Sequence, residues 1–574
     1  MPRSNDQVER ALQEYADLLS IVSGDPYKPR AYEKAARAVG GYPDDLAALD
    51  ERGVLTIPGV GRSIAAKVTE YLQTGSFGEL DALRAQVPAG VREMTAIAGF
   101  GPKKAMAVHQ ELGIGTVDEL LGAAERGELA GLKGFSRTTE RNVIDGVRRL
   151  RSHTGRVQVN VALELAQELL DHLGAVPGVR RVAYAGSLRR MAETVGDVDL
   201  LVASDRPGVV MDAFVASHSV DRVIAKGETK SSIVTGRGLQ IDLRVIDRAA
   251  WGAAMIYFTG SKAHNIRIRE MAVRAGLKLN EYGLFRAKTG KLLAAETEEQ
   301  VYERLGLPLI EPTLREDRGE IEAALAGTLP DVIALTQVRG DLHTHTDLTD
   351  GLAPLERMLE AAAARRYIYY AVTDHAPNLF MQRMTDAKML AQRAQLHDLQ
   401  DRFPSMRLLH GTELNIDPDG GVDWDEPFLD GFDLTVASVH SHFGQSKGAM
   451  TRRVIRAIEH PNVNIIGHLT TRKIGARDPV DLDLEAVFEA AARTGTALEI
   501  NAYPDRLDLR DEHVLWARRH GVKFAIDTDS HAVGHLDVMR FGVATAQRGW
   551  LTKGDVINTW PITKLRRFLR KGRT

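Results

Sequence analysis

Two aspartates set two residues apart, Asp197 and Asp199, follow a turn reading Gly186-Ser187-Leu188-Arg189-Arg190 and a glycine, Gly196. Alternate residues of a strand share a face. The apolar run Leu200-Leu201-Val202 marks such a strand, so the two carboxylates converge while Val198 packs behind them. A turn or a solvated strand edge would give the same spacing. A third carboxylate weighs against that: Leu239-Gln240-Ile241-Asp242-Leu243-Arg244-Val245 alternates like a half-buried strand, and Asp242 reaches the same face if the two strands are neighbours. Three carboxylates beside a Gly-Ser phosphate turn suit two Mg²⁺ or Mn²⁺ ions about 3.5–4 Å apart, a geometry for joining a hydroxyl to a triphosphate.

A second constellation lies further on. Thirteen of the 18 histidines follow residue 338. His343 and His345 are two apart, Asp350 follows in Thr349-Asp350-Gly351, and then come His375, Glu413, His440, His468, Asp529 and His531. Nearly all end short apolar, β-branched runs, with helical patterns such as Leu355 to Ala364 and Leu484 to Ala492 between them. Polar residues at strand ends in a strand–helix alternation describe a β/α barrel with its site at the C-terminal face. Such a donor set holds about three Mn²⁺, Zn²⁺ or Fe²⁺ ions and suits a phosphate ester. A lone histidine is more often a core residue, which is the reading for His397, His410 and His460. Arg506 is either a phosphate contact or a surface ion pair.

The elements that bring a substrate to these sites lie upstream. Leu55-Thr56-Ile57-Pro58-Gly59-Val60-Gly61-Arg62 has the form of a helix–hairpin–helix. Its Gly59 and Gly61 leave backbone amides at a helix start to take a DNA phosphate without reading sequence. Ile97-Ala98-Gly99-Phe100-Gly101-Pro102 repeats the pattern, and Leu132-Lys133-Gly134-Phe135-Ser136 is a weaker third copy. An ordinary tight helical turn is the alternative for any one copy.

Taken together, Gly186-Ser187, Arg190, Asp197-x-Asp199, Asp242, Tyr257-Phe258-Thr259-Gly260-Ser261 and Asn280-Glu281-Tyr282 resemble the palm and thumb of family X, polymerase beta-like DNA polymerases. The resemblance implies that Asp197, Asp199 and Asp242 bind the catalytic metals, and that Gly186, Ser187, Arg190 and Gly196 meet the phosphates of a deoxynucleoside triphosphate. It also implies that Tyr257, Phe258 and Gly260 lie against the sugar, that Asn265 reaches the base edge, and that Arg269 touches the template. Gln240 and Lys262 depart from the residues common in that family. Tyr27-Lys28-Pro29-Arg30-Ala31-Tyr32 and Pro58 to Lys67 resemble the family's small lyase domain. Lys28 and Tyr32 would then form a 5′-phosphate pocket, and Lys67 would be a Schiff-base nucleophile or simply a phosphate grip. The histidine set resembles a PHP (polymerase and histidinol phosphatase) domain, and all nine expected ligands are present.

Composition sets the bounds. Hydrophobic residues make up 44% of 574, ample for several cores. The absence of cysteine excludes disulfides, thiolate zinc sites and thiol nucleophiles. No apolar signal core and no run of about 18 apolar residues is present, which predicts a cytoplasmic protein without membrane partners. A net charge of -3 does not announce a nucleic-acid binder, so DNA contact must be local. The basic stretch Lys564 to Lys571 is either a DNA contact or a solvated helix face.

The expected fold is multidomain: all-α helix–hairpin–helix domains, an α+β nucleotidyltransferase palm with a thumb, and a distorted β/α barrel. The boundaries fall at 1–84, 85–150, 151–256 (palm), 257–312 (thumb), 313–337 (linker) and 338–574 (barrel). The resemblance implies a monomeric polymerase filling short gaps in gapped or nicked DNA. Its PHP site would act on DNA ends as a 3′→5′ exonuclease, 3′-phosphatase or abasic-site endonuclease. The competing readings are an end nuclease that uses the polymerase half as a DNA dock, and a phosphatase for small metabolites.

Overall fold

The computed structural model describes residues 4–571 except 23–26, 41, 43–44, 58, 88, 96, 98–99, 133, 154, 380–381 and 383. Up to residue 153 every regular element is helical. Helices Ser4–Val22 and Tyr27–Gly40 pack through Val8, Leu12, Tyr15, Ala35 and Val39, all buried. Apolar residues at three- and four-residue spacing give each helix one face to hide.

The palm is a five-stranded sheet ordered Val179–Tyr184, Asp197–Ser204, Gln240–Ile246, Lys230–Thr235, Val220–Lys226. Its two central strands run parallel in a register that sets Asp199 beside Asp242. Helices Val159–Gly174 and Pro207–Val215 cover one face through Leu165, Leu169 and Phe214 against Leu200, Val202 and Ile241. The next core gathers Ile256, Ile268, Leu284, Tyr302 and Leu314 around a three-stranded antiparallel sheet.

Within the stretch 313–337, expected to be a linker, residues 313–324 are packed while 325–328 and 334–336 are exposed. Arg315 and Glu320 are wholly buried. Arg315 donates to Glu298 at 2.7 Å and to the Ile310 carbonyl at 2.8 Å, and lies over the Tyr302 ring. Arg189 of the palm clasps the other oxygen of Glu298 at 2.5 Å. Composition suggested a loose connector because its charges look solvated; Arg315, Glu316, Arg318 and Glu320 have instead found largely buried partners in Glu298, Arg548, Asp511 and His264.

The C-terminal region has seven parallel strands in sequential order, from Gly340–Asp341 to Phe524–Asp527. A parallel bridge between Thr344 and Ser530 nearly closes the barrel. The basic tail does not lie free. Helix Ile562–Leu569 buries Leu565 and Leu569 against Leu342, Leu409, Val436 and Ala525 at the barrel's base. Lys571 donates to the carbonyls of Ile458, His460 and Val463. Leu507 and Phe541 of the barrel also join the palm core. No helix among the described residues is long and apolar enough to cross a membrane.

Glu298→Ala should leave the buried Arg315 without its acid. The expected cost is about 3–5 kcal/mol in urea unfolding, the scale for breaking a buried ion pair; an unchanged midpoint would show that the pair does not fasten 313–337.

Candidate functional site

Strand alternation does for the palm what the spacing predicts. Val198 is buried behind, and Asp197 and Asp199 stand on the other face. Asp199's backbone carbonyl accepts from Ala185 N–H at 2.8 Å, tying the turn to the strand. Gly186 has φ +64°, and a Cβ there would lie 2.8 Å from Asp199 Oδ2, so the turn requires glycine for both backbone and space. Burial first, then Asp197 and Asp242, push the Asp199 carboxyl up to about 6. Burial pushes the same way at Asp242, but bonds from Lys230, Gln240 and Ser232 hold it below its ordinary value. Lys230 Nζ lies 2.9 Å from Asp242 Oδ2, occupying one oxygen as a bound cation would. A buried acidic group under-neutralised by its own protein is a fitting seat for divalent ions.

Of the other predicted palm and thumb residues, Gly186 and Phe258 adjoin this face. Ser187 lies in the one-turn helix Gly186–Arg189. Gly196 immediately precedes the strand carrying the aspartates and stands against Arg156. Arg190 is held: Nε donates to Glu316 at 3.0 Å and Nη1 to the Thr259 carbonyl at 2.5 Å. Tyr257 and Phe258 form an edge-on pair at 5.0 Å, with Arg244 over Phe258. Asn265 donates to the Tyr257 carbonyl at 2.7 Å, Gly260 follows at φ +68°, and Arg269 is exposed. Gln240, the departure noted above, donates to Asp242 at 2.9 Å.

The histidine cluster is built around one carboxylate. Glu413 Oε1 faces His440 Nε2 and His468 Nε2, each at 3.1 Å. Its Oε2 faces His375 Nδ1 at 2.9 Å, His343 Nε2 at 3.5 Å and His345 Nε2 at 3.7 Å. Asp350 lies 3.4 Å from both His375 and His531, and Asp529 lies 3.3 Å from His345. Three overlapping sets bring their ligand atoms within 4.8 Å: His345, Asp350, His375, His531; His343, His345, Asp529; and His375, Glu413, His440. His343 Nε2, both nitrogens of His345, Asp350 Oδ1 and His468 Nδ1 are buried without a hydrogen-bond partner among the described residues. Buried lone pairs left unsatisfied are costly; here they converge, and metal ions would satisfy them.

The charge pattern agrees. Burial works against charge throughout, yet the surrounding imidazoles hold Glu413, Asp350 and Asp529 well below the carboxylate range. Burial likewise opposes charge on His343 and His375, but Glu499, Glu413 and Asp350 raise both well above their usual value. Burial, with Arg506 beside it, presses His468 down to about 3. Arg506 itself is half-buried, its Nε 3.7 Å from Asp529. His468 (φ +24°) and Asp529 (φ +52°) sit in strained backbone, a cost met at functional sites.

Several supporting residues escaped the sequence reading. Glu499 accepts from His343 Nδ1 at 2.6 Å and from His468 N–H at 2.5 Å, fixing both residues. Asp374 accepts from Thr346 N–H and Thr349 Oγ1, holding the loop that carries Asp350. The available signal was an acid inside an apolar strand, Leu498-Glu499-Ile500. Of the histidines read as core, His410 is buried and stacked on Phe432. His397 is exposed on its helix, its ring turned to solvent beside Asp398.

The three hairpins share one turn: Val60 N–H to Ile57 O, Phe100 N–H to Ile97 O and Phe135 N–H to Leu132 O, at 2.9–3.1 Å. Gly59 takes φ +82°, and Gly61 and Gly101 begin helices with no side-chain cap, leaving first-turn amides to a ligand. Gly99 lies outside the described residues. Lys28 is exposed, while Tyr32 is buried edge-on to Tyr15. Lys67 departs from the lowered basicity that Schiff-base chemistry needs. Burial pulls it down, but Glu79, at 2.9 Å, and Tyr32 leave it raised.

Asp199 gives a pH test. Its ordinary value is 3.8 and its folded value about 6. The folded state therefore keeps a proton the unfolded chain has lost, and stability falls as pH rises from about 4 to about 6. In metal-free protein, Asp199→Asn should be stabilising by about 2–3 kcal/mol at pH 7.5 and by little at pH 4; an equal gain at both would refute the assignment of burial and like charge as the cause.

Four family models match the chain: a helix-hairpin-helix domain at 3–77, a SAM-like helix-hairpin-helix tandem at 91–149, the DNA polymerase beta thumb at 254–316, and the PHP domain at 341–503. The DNA polymerase/3'-5' exonuclease PolX of Bacillus subtilis is 34% identical over 565 residues, covering 98% of both chains. DNA polymerase lambda of Rattus norvegicus is 28% identical over 327 residues, 51% of this chain and 53% of that one. A probable phosphatase of Syntrophotalea carbinolica is 34% identical over 165 residues, 28% of this chain and 64% of that protein. With a relative matched over 98% of both chains, and with the thumb match following the aspartates and the PHP match taking in seven of the nine clustered donors, the chain belongs to the polymerase beta-like family X DNA polymerases that carry a PHP domain.

Proposed function

We propose that this protein fills short gaps in DNA during repair and trims or cleans the DNA ends it meets. The observation that carries this reading is the presence, in one chain, of two separate clusters suited to divalent ions: Asp197, Asp199 and Asp242 on the palm, and Glu413 with eight further donors in the barrel. Mg²⁺ or Mn²⁺ at the first, and about three Mn²⁺, Zn²⁺ or Fe²⁺ ions at the second, would supply Lewis-acid charge for phosphate chemistry when bound.

The chain's own residues do the rest. The Gly186-Ser187 turn and Arg190 bind the phosphates of a deoxynucleoside triphosphate, and Gly196 keeps the approach open. Tyr257, Phe258 and Gly260 fit the sugar, Asn265 the base edge, and Arg269 the template strand. At the barrel, His343, His345, Asp350, His375, Glu413, His440, His468, Asp529 and His531 are the ligands. Arg506, with a buried Nη1 that has no hydrogen-bond partner among the described residues, takes a phosphate oxygen. Gapped or nicked DNA is gripped by amides of the Gly59, Gly61, Gly99 and Gly101 hairpins and by Lys28. Lys67 grips the 5′ end while Glu79 holds it charged; lyase chemistry there requires Glu79 to let go. The protein works in the cytoplasm as a monomer. Of 3′→5′ exonuclease, 3′-phosphatase and abasic-site cleavage, the exonuclease is favoured, because the relative matched end to end carries that name.

Two substitutions separate the activities. Asp197→Ala should reduce synthesis across a one-nucleotide gap by about three orders of magnitude and leave end degradation intact; His345→Ala should do the reverse. Synthesis persisting in the first variant would sink the polymerase site. Full end degradation in the second would sink the PHP site as the nuclease.

A further inference from the structure

Arg548 ends helix Met539–Arg548 of the barrel domain and is not one of that domain's nine clustered donors. It is almost wholly buried. Its Nε and Nη2 lie 2.9 and 2.8 Å from Asp511 of the same domain. Its Nη1 crosses to the polymerase half, donating to Glu316 Oε1 at 2.7 Å and to the backbone carbonyl of Arg190 at 2.8 Å. The same oxygen of Glu316 accepts from Arg190 Nε at 3.0 Å. Arg190 is thus fixed at two points, its side chain through Glu316 and its main chain directly. The next residue, Met191, sits at φ +53°, a conformation that only a constrained backbone keeps.

We propose that Arg548 is a positioning residue for nucleotide binding: through Glu316 and the Arg190 carbonyl, the PHP domain orients the arginine that meets the triphosphate. This rests on the reading of Arg190 as a phosphate contact. A planar guanidinium suits the task, because it can serve Asp511 on one edge and reach Glu316 and a carbonyl from the other, which a lysine ammonium cannot. The arrangement makes the nuclease domain a structural part of the polymerase's triphosphate site, without either active site touching the other. It also predicts an asymmetry: loss of the contact harms nucleotide binding and leaves end degradation alone.

The test uses the full chain and gap-filling kinetics. Arg548→Met strands no charge, because Asp511 keeps Arg318 at 3.0 Å and Glu316 keeps Arg190. It should raise KM for the incoming deoxynucleotide about tenfold, as loss of an orienting charge-assisted hydrogen bond would, with kcat changed by less than about twofold. End degradation should stay at the wild-type rate, and Arg548→Lys should fall between the two. Glu316→Gln should raise KM as well, and the double variant should be no worse than the poorer single one, because both act through one relay. An unchanged KM in Arg548→Met, additive effects in the double variant, or a parallel loss of end degradation each overturns the proposal. Arg190→Ala separates the two layers. If it raises KM while Arg548→Met does not, only the relay is wrong; if it leaves KM unchanged, the reading of Arg190 itself fails and the relay with it.

Discussion

One carboxylate, Glu413, lies among five imidazoles inside a nearly closed barrel. Nothing in an apolar core tolerates that many polar atoms unless their lone pairs and protons have somewhere to go. The barrel is the device that makes the arrangement affordable. Each parallel strand ends at the same rim, so residues scattered over nearly 200 positions of sequence arrive at one height. Behind them, Glu499 holds His343 and Asn415 holds His440, while Asp374 and Asp341 hold the neighbouring Thr346 and Thr528. The hydrophobic layer beneath, plugged by Leu565 and Leu569, keeps the base dry and the ligands at the top.

The palm solves a similar problem with less enclosure. Two parallel strands bring Asp199 and Asp242 side by side, and a glycine turn is pressed against the Asp199 carboxylate. Here the cluster opens to solvent at Asp197, as a site for a long polymer and a loose nucleotide must. The two halves are joined by charge as well as by apolar packing. Arg472 meets Glu193 across 279 residues at 2.7 Å, and Arg548 meets Glu316 across 232 at the same distance.

Much of this was legible because it follows a short period. Asp197 and Asp199 declare themselves by alternation, Asp242 by the alternating strand around it, and the barrel ligands by polar residues closing apolar runs. The helix–hairpin–helix turns repeat a local pattern. What could not be read was fixed by partners distant in sequence. The run Arg315-Glu316-Asp317-Arg318 looks like a solvated connector until Glu298, Glu320, Asp511 and Arg548 are brought to it. The basic tail, read as a DNA contact or a solvated helix face, keeps Lys564, Arg567 and Arg570 exposed, while the place of Leu565 and Leu569 on the barrel floor is set by strands distant in sequence. Lys67 shows the same limit: its type and position suit a nucleophile, while its charge is decided by Glu79, which only the fold places there.

The uncapped hairpins carry a consequence of a different kind. On the proposed reading, part of the grip on DNA comes from peptide dipoles at helix starts, beside the charges of Lys28, Lys67 and Arg269. A dipole neutralises no phosphate outright, so few condensed counterions leave the duplex when it binds. The affinity of such a protein falls gently as ionic strength rises, and its non-specific hold on intact duplex is weak. On the proposed function, that would suit a chain of net charge -3 whose targets are rare interruptions in a long polyanion, where a free end gives the hairpins something more to hold.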